Sequence, residues 1–252
     1  MGLLEAIWTD IQLLAFPALF NIYFAASSLP IGFGLAVLLA LGKNSRNPVV
    51  SRLSSAYIYA FRGSPLFIQF FMFYSIMLAL NPIWWRPMGI AWFAMSPLFI
   101  GPLALVMNTT AYTAEIFYGA LRTVPKGELE AARAFGMSRL QVFRTVTWPN
   151  MIRVAWPAYT NEVTFLFHAT ALVYFTLPVI GNQKDIMNKA TELFERDFNV
   201  FLHFSVAGLY FLVITMAIFF VFGLVYARMM RHMPKERQPH RPRLRFGPKY
   251  IR

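Results

Sequence analysis

Long apolar stretches separated by polar segments recur along the chain. A helix needs about 20 mostly apolar residues to cross a bilayer core about 30 Å thick. The stretches that reach this length are 18–41, 54–80, 97–121, 151–180 and 201–227. The pattern predicts an all-α, polytopic membrane protein with five transmembrane helices, in which 18–227 form the membrane domain.

The composition agrees with this pattern. The chain has 252 residues, of which 58% are hydrophobic, and its mean hydropathy is +0.51. One soluble core of this size could not hide that much apolar surface. The sequence has no cysteine, no HExxH or GxSxG pattern, and four scattered histidines. We therefore predict no catalytic residue and no metal site, which argues against a membrane-embedded enzyme.

The net charge of +12 is unevenly distributed. Nineteen of the 23 Lys and Arg residues fall in 43–62, 122–153 and 228–252. Cytoplasmic segments of membrane proteins are rich in Lys and Arg. The distribution predicts a periplasmic N-terminus and a cytoplasmic C-terminus, and it explains the charge without a nucleic-acid partner. We expect the basic tail, 228–252, to lie against anionic lipid of the inner leaflet.

The segment before the first stretch contains no Lys or Arg up to Phe16, so no signal peptide is indicated. We interpret 1–17 as a periplasmic interfacial segment. A helix over 3–20 would either lie at the interface or lead directly into the first span, and both alternatives stay open.

The polar segment 122–150 predicts a helix, a glycine joint and a second helix. Pro125 suits a first helical turn, and Gly136 suits the left-handed residue that ends a helix. Ser138 and Gln141 have the spacing of a capping box, and Pro149 marks the end of the second helix before the next span.

Two acidic residues, Glu115 and Glu162, lie inside predicted spans, where ionisable groups indicate function by default. Helical spacing groups two sets of polar side chains beside them, namely Asn108, Tyr112 and Glu115 on the third span and Asn161, Thr164 and His168 on the fourth. These faces could line one water-filled path. Alternatively, these polar side chains bond neighbouring helices. In that case Glu115 is paired near the inner boundary of the membrane, and Glu162 pairs with Arg62 or with a partner subunit. We interpret Arg62-Gly63-Ser64-Pro65 as a structural kink in preference to a gate.

Residues 130–149 resemble the EAA loop of binding-protein-dependent ABC importer permeases, on Glu130, Ala131, Ala132, Gly136, Val146, Trp148 and Pro149. The blocks RGSPLFIQ at 62–69 and NTTAYTAEIFYGALRTVPKGELEAARAFG at 108–136 are similar to the polar amino-acid branch of that family. A third block, NEVTFLFHATAL at 161–172, resembles the M-type permease of histidine, basic amino-acid and opine importers. Many such relatives carry Lys-Asp in place of His168-Ala169.

The resemblance implies a permease with the type I ABC importer fold, located in the bacterial inner membrane. Its partners would be a paralogous permease, two copies of an ATP-binding cassette subunit and a periplasmic substrate-binding protein. Glu130, Ala131, Ala132 and Gly136 would couple the chain to the ATPase. No GxxxxGK[ST] pattern occurs in the sequence, so ATP and Mg would bind the ATPase, and this chain would hold no cofactor.

The transported substrate would be a polar, basic amino acid or an opine. Its path would be lined by Asn108, Glu115, Asn161, Glu162 and His168, since carboxylates attract a cationic group more strongly where water is excluded. The rival interpretation is an ATP-independent carrier or channel. Such carriers often contain inverted repeats, and we find none in the sequence.

Overall fold

The computed structural model describes residues 2–178 and 183–231, and every regular element in those ranges is helical. The helices are α1 Leu3–Lys43, α2 Pro48–Gly63, α3 Leu66–Leu80, α4 Ala91–Ala94, α5 Pro97–Leu121, α6 Lys126–Ala134, α7 Arg139–Val142, α8 Trp148–Ala169, α9 Val173–Thr176, α10 Ile186–Asp197 and α11 Val200–Met230. The prediction of an all-α protein is confirmed. Most of the basic tail, 232–252, and the last two residues of the fourth predicted stretch, 179–180, lie outside the described residues.

Helix α1 is continuous from Leu3 to Lys43, and Pro17 and Pro30 lie within it. The chain therefore enters the first apolar stretch without a break at residue 17, as the lead-in alternative describes. Where the membrane surface crosses α1 stays a prediction.

Helices α1 and α5 pack along each other through small residues. A Cβ atom at Gly32 would lie 2.6 Å from Cγ2 of Thr109, so glycine is needed for this approach. Ala36 on α1 and Ala114 on α5 are fully buried in the same core. Small side chains let helix backbones approach closely in membrane proteins, and α5 thereby becomes a central helix of the bundle.

The second predicted span is divided into two helices, which corrects the interpretation of 54–80 as one kinked helix. Helix α2 ends at Gly63, and α3 begins at Leu66. Ser64 between them is extended, with φ −109° and ψ 139°. A residue before proline is driven towards extended backbone, and Pro65 has no N–H to continue the α2 ladder. The helical hydrogen-bond ladder is therefore interrupted at this point.

Three helical segments in the described part of the chain are long and apolar enough to cross a membrane. They are Leu3–Lys43, Leu66–Trp85 and Val200–Met230. Helices α5 and α8 are less apolar because they carry polar side chains that are buried inside the bundle, including Thr109, Thr110 and Glu162. A helix surrounded by other helices needs less apolar surface than one that faces lipid.

The predicted helix–glycine–helix is present in 125–142. Gly136 has a φ of +74°, and Met137 N donates to Ala132 O at 3.2 Å, which closes α6 as predicted. Ser138 and Gln141 form the predicted capping box at the start of α7.

The prediction that the second helix ends at Pro149 was wrong. Helix α7 continues through a π-helical turn, Phe143–Thr147, directly into α8. Trp148 N donates to Phe143 O across this turn. Pro149 is the second residue of α8, directly after the π-helical turn.

The end of the bundle that is opposite to α6 is held together by polar contacts. His203 at the start of α11 lies 2.6 Å from Asp10 of α1 through Nδ1 and 2.8 Å from Asp197 of α10 through Nε2. The buried amide of Asn21 accepts from Ile186 N at 3.0 Å. These bonds fix α10 and α11 to the first half of α1.

Asp185, which precedes α10, carries a buried carboxyl group. Its Oδ1 accepts from Asn188 N at 2.8 Å, whereas Oδ2 accepts no hydrogen bond from the described residues. Burial raises the pKa of Asp185 from 3.8 to about 6. The folded protein therefore binds this proton more tightly than the unfolded chain does, and the charged carboxylate destabilises the fold above about pH 6.

We expect Asp185→Asn to keep the helix cap and to remove this pH dependence. The wild-type melting temperature should rise as the pH falls from about 6 to about 4, whereas that of the variant should stay nearly constant. The pKa shift of Asp185 limits the gain in the free energy of unfolding of the variant at pH 8 to roughly 3 kcal/mol. The new unpaired amide N–H reduces this gain. Thermal unfolding across pH measures the effect, with the exposed Glu195→Gln as control. A variant that follows the wild-type profile would contradict the assignment.

Candidate functional site

A cavity of about 750 Å³ lies between the α2–α3 break, α5 and α8. Its lining residues are Arg62, Gly63, Ser64, Pro65, Leu66, Asn108, Tyr112, Ile116, Ala158, Asn161, Glu162, Phe165, Leu166 and Ala169. Three of the five predicted substrate-path residues, Asn108, Asn161 and Glu162, are therefore brought together. The α2–α3 break forms a cavity wall at the position where the sequence indicated only a kink.

Side chains satisfy the backbone carbonyls that the break releases. Gln69 Nε2 donates to Phe61 O at 2.8 Å and to Ser64 O at 3.0 Å. The Tyr112 hydroxyl donates to Arg62 O at 3.3 Å. Non-helical backbone at membrane depth is tolerated where such partners exist or where it lines a cavity, and both conditions hold here.

Glu162 supplies a carboxyl group to the cavity. The residue is 9% exposed, and its Oε1 accepts from the Thr109 hydroxyl at 2.9 Å. Its Oε2 has no hydrogen-bond partner among the described residues. One oxygen is therefore fixed by α5, and the other remains able to accept a hydrogen bond from a ligand.

Arg62 supplies a positive charge at the same cavity. Its guanidinium carbon lies 5.3 Å from the ring centroid of Tyr112, and Nη1 lies 3.8 Å from Glu115 Oε2. Glu115 Oε2 is already bonded to Lys43 Nζ at 2.5 Å. Arg62 is thus weakly paired, and its donors can bind an anionic group.

Glu115 is not among the cavity-lining residues. It is bonded to Lys43, whose Nζ also lies 4.5 Å from the ring centroid of Tyr118. This is the paired arrangement that the sequence left open as the alternative. It connects the C-terminal ends of α1 and α5.

We expect Glu115→Gln to lower stability rather than substrate affinity. Loss of the half-buried pair with Lys43 should cost about 1 kcal/mol and lower the melting temperature. Substrate binding should change less than twofold, because the side chain lies outside the cavity. Thermal unfolding and ligand titration of the same preparation measure both effects. A large loss of affinity at unchanged stability would restore Glu115 to the substrate path.

His168 also lies outside the cavity lining. Its Nε2 is 2.9 Å from the hydroxyl of Thr215, so it joins α8 to α11. This geometry is that of an interhelical hydrogen bond. The role in substrate transport that we predicted for His168 stays a prediction.

The four predicted coupling residues lie on or directly after α6. Glu130, Ala131 and Gly136 are exposed, whereas Ala132 is buried at 5% exposure. Glu128 Oε2 accepts from Asn150 Nδ2 at 2.6 Å, which connects α6 to the start of α8. An exposed helix is thereby fixed to a helix that lines the cavity.

Sequence reasoning missed several residues that organise the site. Gln69 and Thr109 hold cavity side chains in place, and Lys43 holds Glu115. Gln69 stands at the end of the RGSPLFIQ block, which was the available signal for its importance. Lys43 lies 72 residues before its partner, and no local pattern connects them. Within the described ranges, no group of three His, Asp or Glu side chains could hold a metal ion.

The chain is similar to permeases of amino-acid and opine transport systems. It is 36% identical over 228 residues to the histidine/lysine/arginine/ornithine transport system permease HisM of Salmonella typhimurium, covering 90% of this chain and 94% of that protein. It is 35% identical over 216 residues to the nopaline permease NocM of Agrobacterium fabrum, covering 83% and 87%. It is 31% identical over 192 residues to the arginine permease ArtM of Haemophilus influenzae, covering 75% and 79%.

Solved structures show the same fold. A crystal structure of an amino acid ABC transporter with histidines superposes with a TM-score of 0.72 at 24% identity, covering 90% of this chain and 99% of that chain. The MetNI methionine ABC transporter in an inward-facing conformation gives a TM-score of 0.59 at 17% identity, covering 90% and 95%.

The family described as "Binding-protein-dependent transport system inner membrane component" matches residues 28–235. This match spans most of the bundle, from the first predicted span through α11. The chain belongs to this family of inner-membrane transport components.

Proposed function

We propose that the chain is the permease subunit of an ATP-driven importer that moves a cationic amino acid or an opine by alternating access. The observation that carries the proposal is the cavity, in which Glu162 and Asn108 lie with Arg62. An α-amino acid carries an ammonium and a carboxylate. Acceptors and a cation in one cavity match both groups.

The membrane topology is part of the proposal. We propose that the chain crosses the membrane five times, with α1, α3, α5, α8 and α11 as the crossing elements. The end that bears Lys43, Arg122 and α6 faces the cytoplasm, in agreement with the excess of Lys and Arg there. Asp10 and α10 then lie at the periplasmic side.

The partners follow from α6. We propose that α6, with Glu130, Ala131 and Ala132, docks on an ATP-binding cassette subunit that holds ATP and Mg. A complete importer would contain two such subunits, a paralogous permease and a periplasmic binding protein that delivers substrate. ATP can favour one orientation only through contacts that differ between the two states, and an exposed helix fixed to α8 supplies such contacts.

Reconstitution tests this proposal. The chain is co-expressed with a partner permease, an ATPase and a binding protein, and the purified complex is placed in liposomes. We expect uptake of radiolabelled L-arginine, L-lysine or L-histidine that requires ATP, the ATPase and the binding protein. Uptake by the chain alone, without ATP, would instead identify a carrier or channel.

A further inference from the structure

Gln69 is a buried amide at the α2–α3 break, with 2% of its surface exposed. Its Nε2 lies within 3.0 Å of three oxygen atoms, namely Phe61 O, Ser64 O and Ser64 Oγ. Two of these are carbonyls, which can only accept. The Ser64 hydroxyl donates its single proton to Ala60 O at 2.8 Å and therefore also accepts. The surroundings thus fix which end of the Gln69 amide carries the nitrogen.

The fixed orientation extends to Asn108. With Nε2 turned towards the break, Gln69 Oε1 faces α5, where it accepts from Asn108 Nδ2 at 3.1 Å. The second hydrogen of Nδ2 is directed to Phe61 O at 3.5 Å. Because Gln69 Oε1 cannot donate, the amide of Asn108 must present nitrogen to it and cannot flip.

Asn108 therefore offers only its oxygen to the cavity that it lines. In the described part of the chain, Asn108 Oδ1 accepts no hydrogen bond. We propose that Gln69 is a positioning residue that holds Asn108 with its carbonyl oxygen towards the cavity and so makes this wall selective for the ammonium group of the substrate. The oxygen atoms of the α2–α3 break can only accept hydrogen bonds from Gln69. They therefore determine that the substrate site presents an acceptor at Asn108.

This inference rests on the proposed function and deepens it. Oxygen atoms of Asn108 and Glu162 accept from a cationic donor, whereas an Asn108 amide turned the other way would repel it. Arg62 at the same cavity suits the carboxylate. We assign the acceptor pair to the α-ammonium group, because every amino acid carries it.

The test measures binding to the purified complex of both permeases and the ATPase, without the binding protein. Dissociation constants are determined by calorimetry for L-arginine and for 5-guanidinopentanoate, which is arginine without its α-ammonium group. We expect the wild-type complex to prefer arginine by about 100-fold, because the analogue loses hydrogen bonds to both Asn108 and Glu162, each of which contributes about tenfold. Gln69→Met should weaken arginine binding by about tenfold and leave binding of the analogue unchanged.

The control variants separate positioning from structure. Asn108→Ala should lose the same tenfold part of the preference as Gln69→Met, and adding Gln69→Met to it should change nothing further, because Gln69 acts through Asn108. Asn108→Asp should bind arginine no more tightly than wild type, since a carboxylate cannot face Gln69 Oε1 unless it is protonated. This variant keeps Gln69 in place and gives a result even if Gln69→Met does not assemble.

Three results would overturn the inference: a Gln69→Met complex that keeps the arginine preference, equal weakening of both ligands, or tighter arginine binding by Asn108→Asp. Failure of the proposed function looks different. In that case the wild-type complex binds none of L-arginine, L-lysine and L-histidine, before any variant is compared.

Discussion

Glu162→Gln is expected to weaken binding of a cationic amino acid to the assembled permease by about 10- to 100-fold. The amide has the shape of the carboxyl group and can still accept from the Thr109 hydroxyl, so α5 and α8 remain joined. The negative charge is lost, and an amide nitrogen that cannot accept replaces the second carboxylate oxygen. A hydrogen bond to a charged group contributes about 1.5–3 kcal/mol, which corresponds to this range of affinity.

Glu115→Gln is the matched control for this experiment. It is the same substitution, in the neighbouring helix α5, at an acid that is not among the cavity-lining residues. Calorimetry on the complex without the binding protein should show the loss of affinity only for the Glu162 variant. A Glu162 variant that binds substrate as tightly as the Glu115 variant, with both complexes assembled, would remove Glu162 from the substrate site.

Local signals in the sequence were sufficient for the glycine joint. The left-handed conformation of Gly136 and the capping box of Ser138 depend on residues within one helical turn. Such features are decided by backbone stereochemistry and nearby hydrogen bonds. The same reasoning placed Pro149 at a helix end, which was wrong because a π-helical turn let the helix continue past it.

The break in the second predicted span was missed because hydropathy was averaged over a long stretch of residues. Gly63 and Pro65 were visible in the sequence, but the apolar residues on both sides suggested one helix. Hydrogen bonds from Gln69 and Tyr112 to its carbonyls stabilise the open backbone. Those partners come from α3 and α5, so the break depends on tertiary contacts that periodicity does not contain.

The two acidic residues illustrate the same limit. Glu115 and Glu162 look alike in the sequence, since each is a lone carboxylate in an apolar stretch. Glu115 meets Lys43 at 2.5 Å, whereas Glu162 meets the cavity. The two carboxylates differ in their surroundings because different helices lie opposite them. A single sequence does not show which helices are neighbours.

The cavity and α6 are connected through continuous helical backbone and a side-chain hydrogen bond. Helix α8 carries Glu162 at the cavity and continues, through the π-helical turn, into α7 beside Gly136. Asn150 near its start is bonded to Glu128 of α6. A displacement of α6 by an ATPase would therefore move the cavity wall directly, provided that the joint at Gly136 holds its shape.

Gly136→Val is accordingly expected to reduce substrate transport per ATP hydrolysed by about tenfold. The φ of +74° is costly for a β-branched residue, by about 1–2 kcal/mol or more, whereas a Cβ atom here would meet no other atom within 4 Å. The substitution thus acts on the backbone of the joint alone, and a shift of this size changes the population of the docking-competent geometry by about tenfold.

Gly136→Asn is the matched control, since asparagine tolerates left-handed backbone and should transport nearly as well as wild type. Simultaneous measurement of ATP hydrolysis and uptake in liposomes gives the coupling ratio, and the melting temperature of the complex verifies assembly. Because Gly136 is exposed, the asparagine variant should keep nearly wild-type stability, and the valine variant should lose no more than the backbone cost of about 1–2 kcal/mol. If the valine variant kept the wild-type ratio, the joint would not transmit the ATPase motion. If the asparagine variant were as impaired as the valine variant, the added side chain would be the cause instead of the backbone conformation. The side chain would then act at the surface where α6 meets its partner.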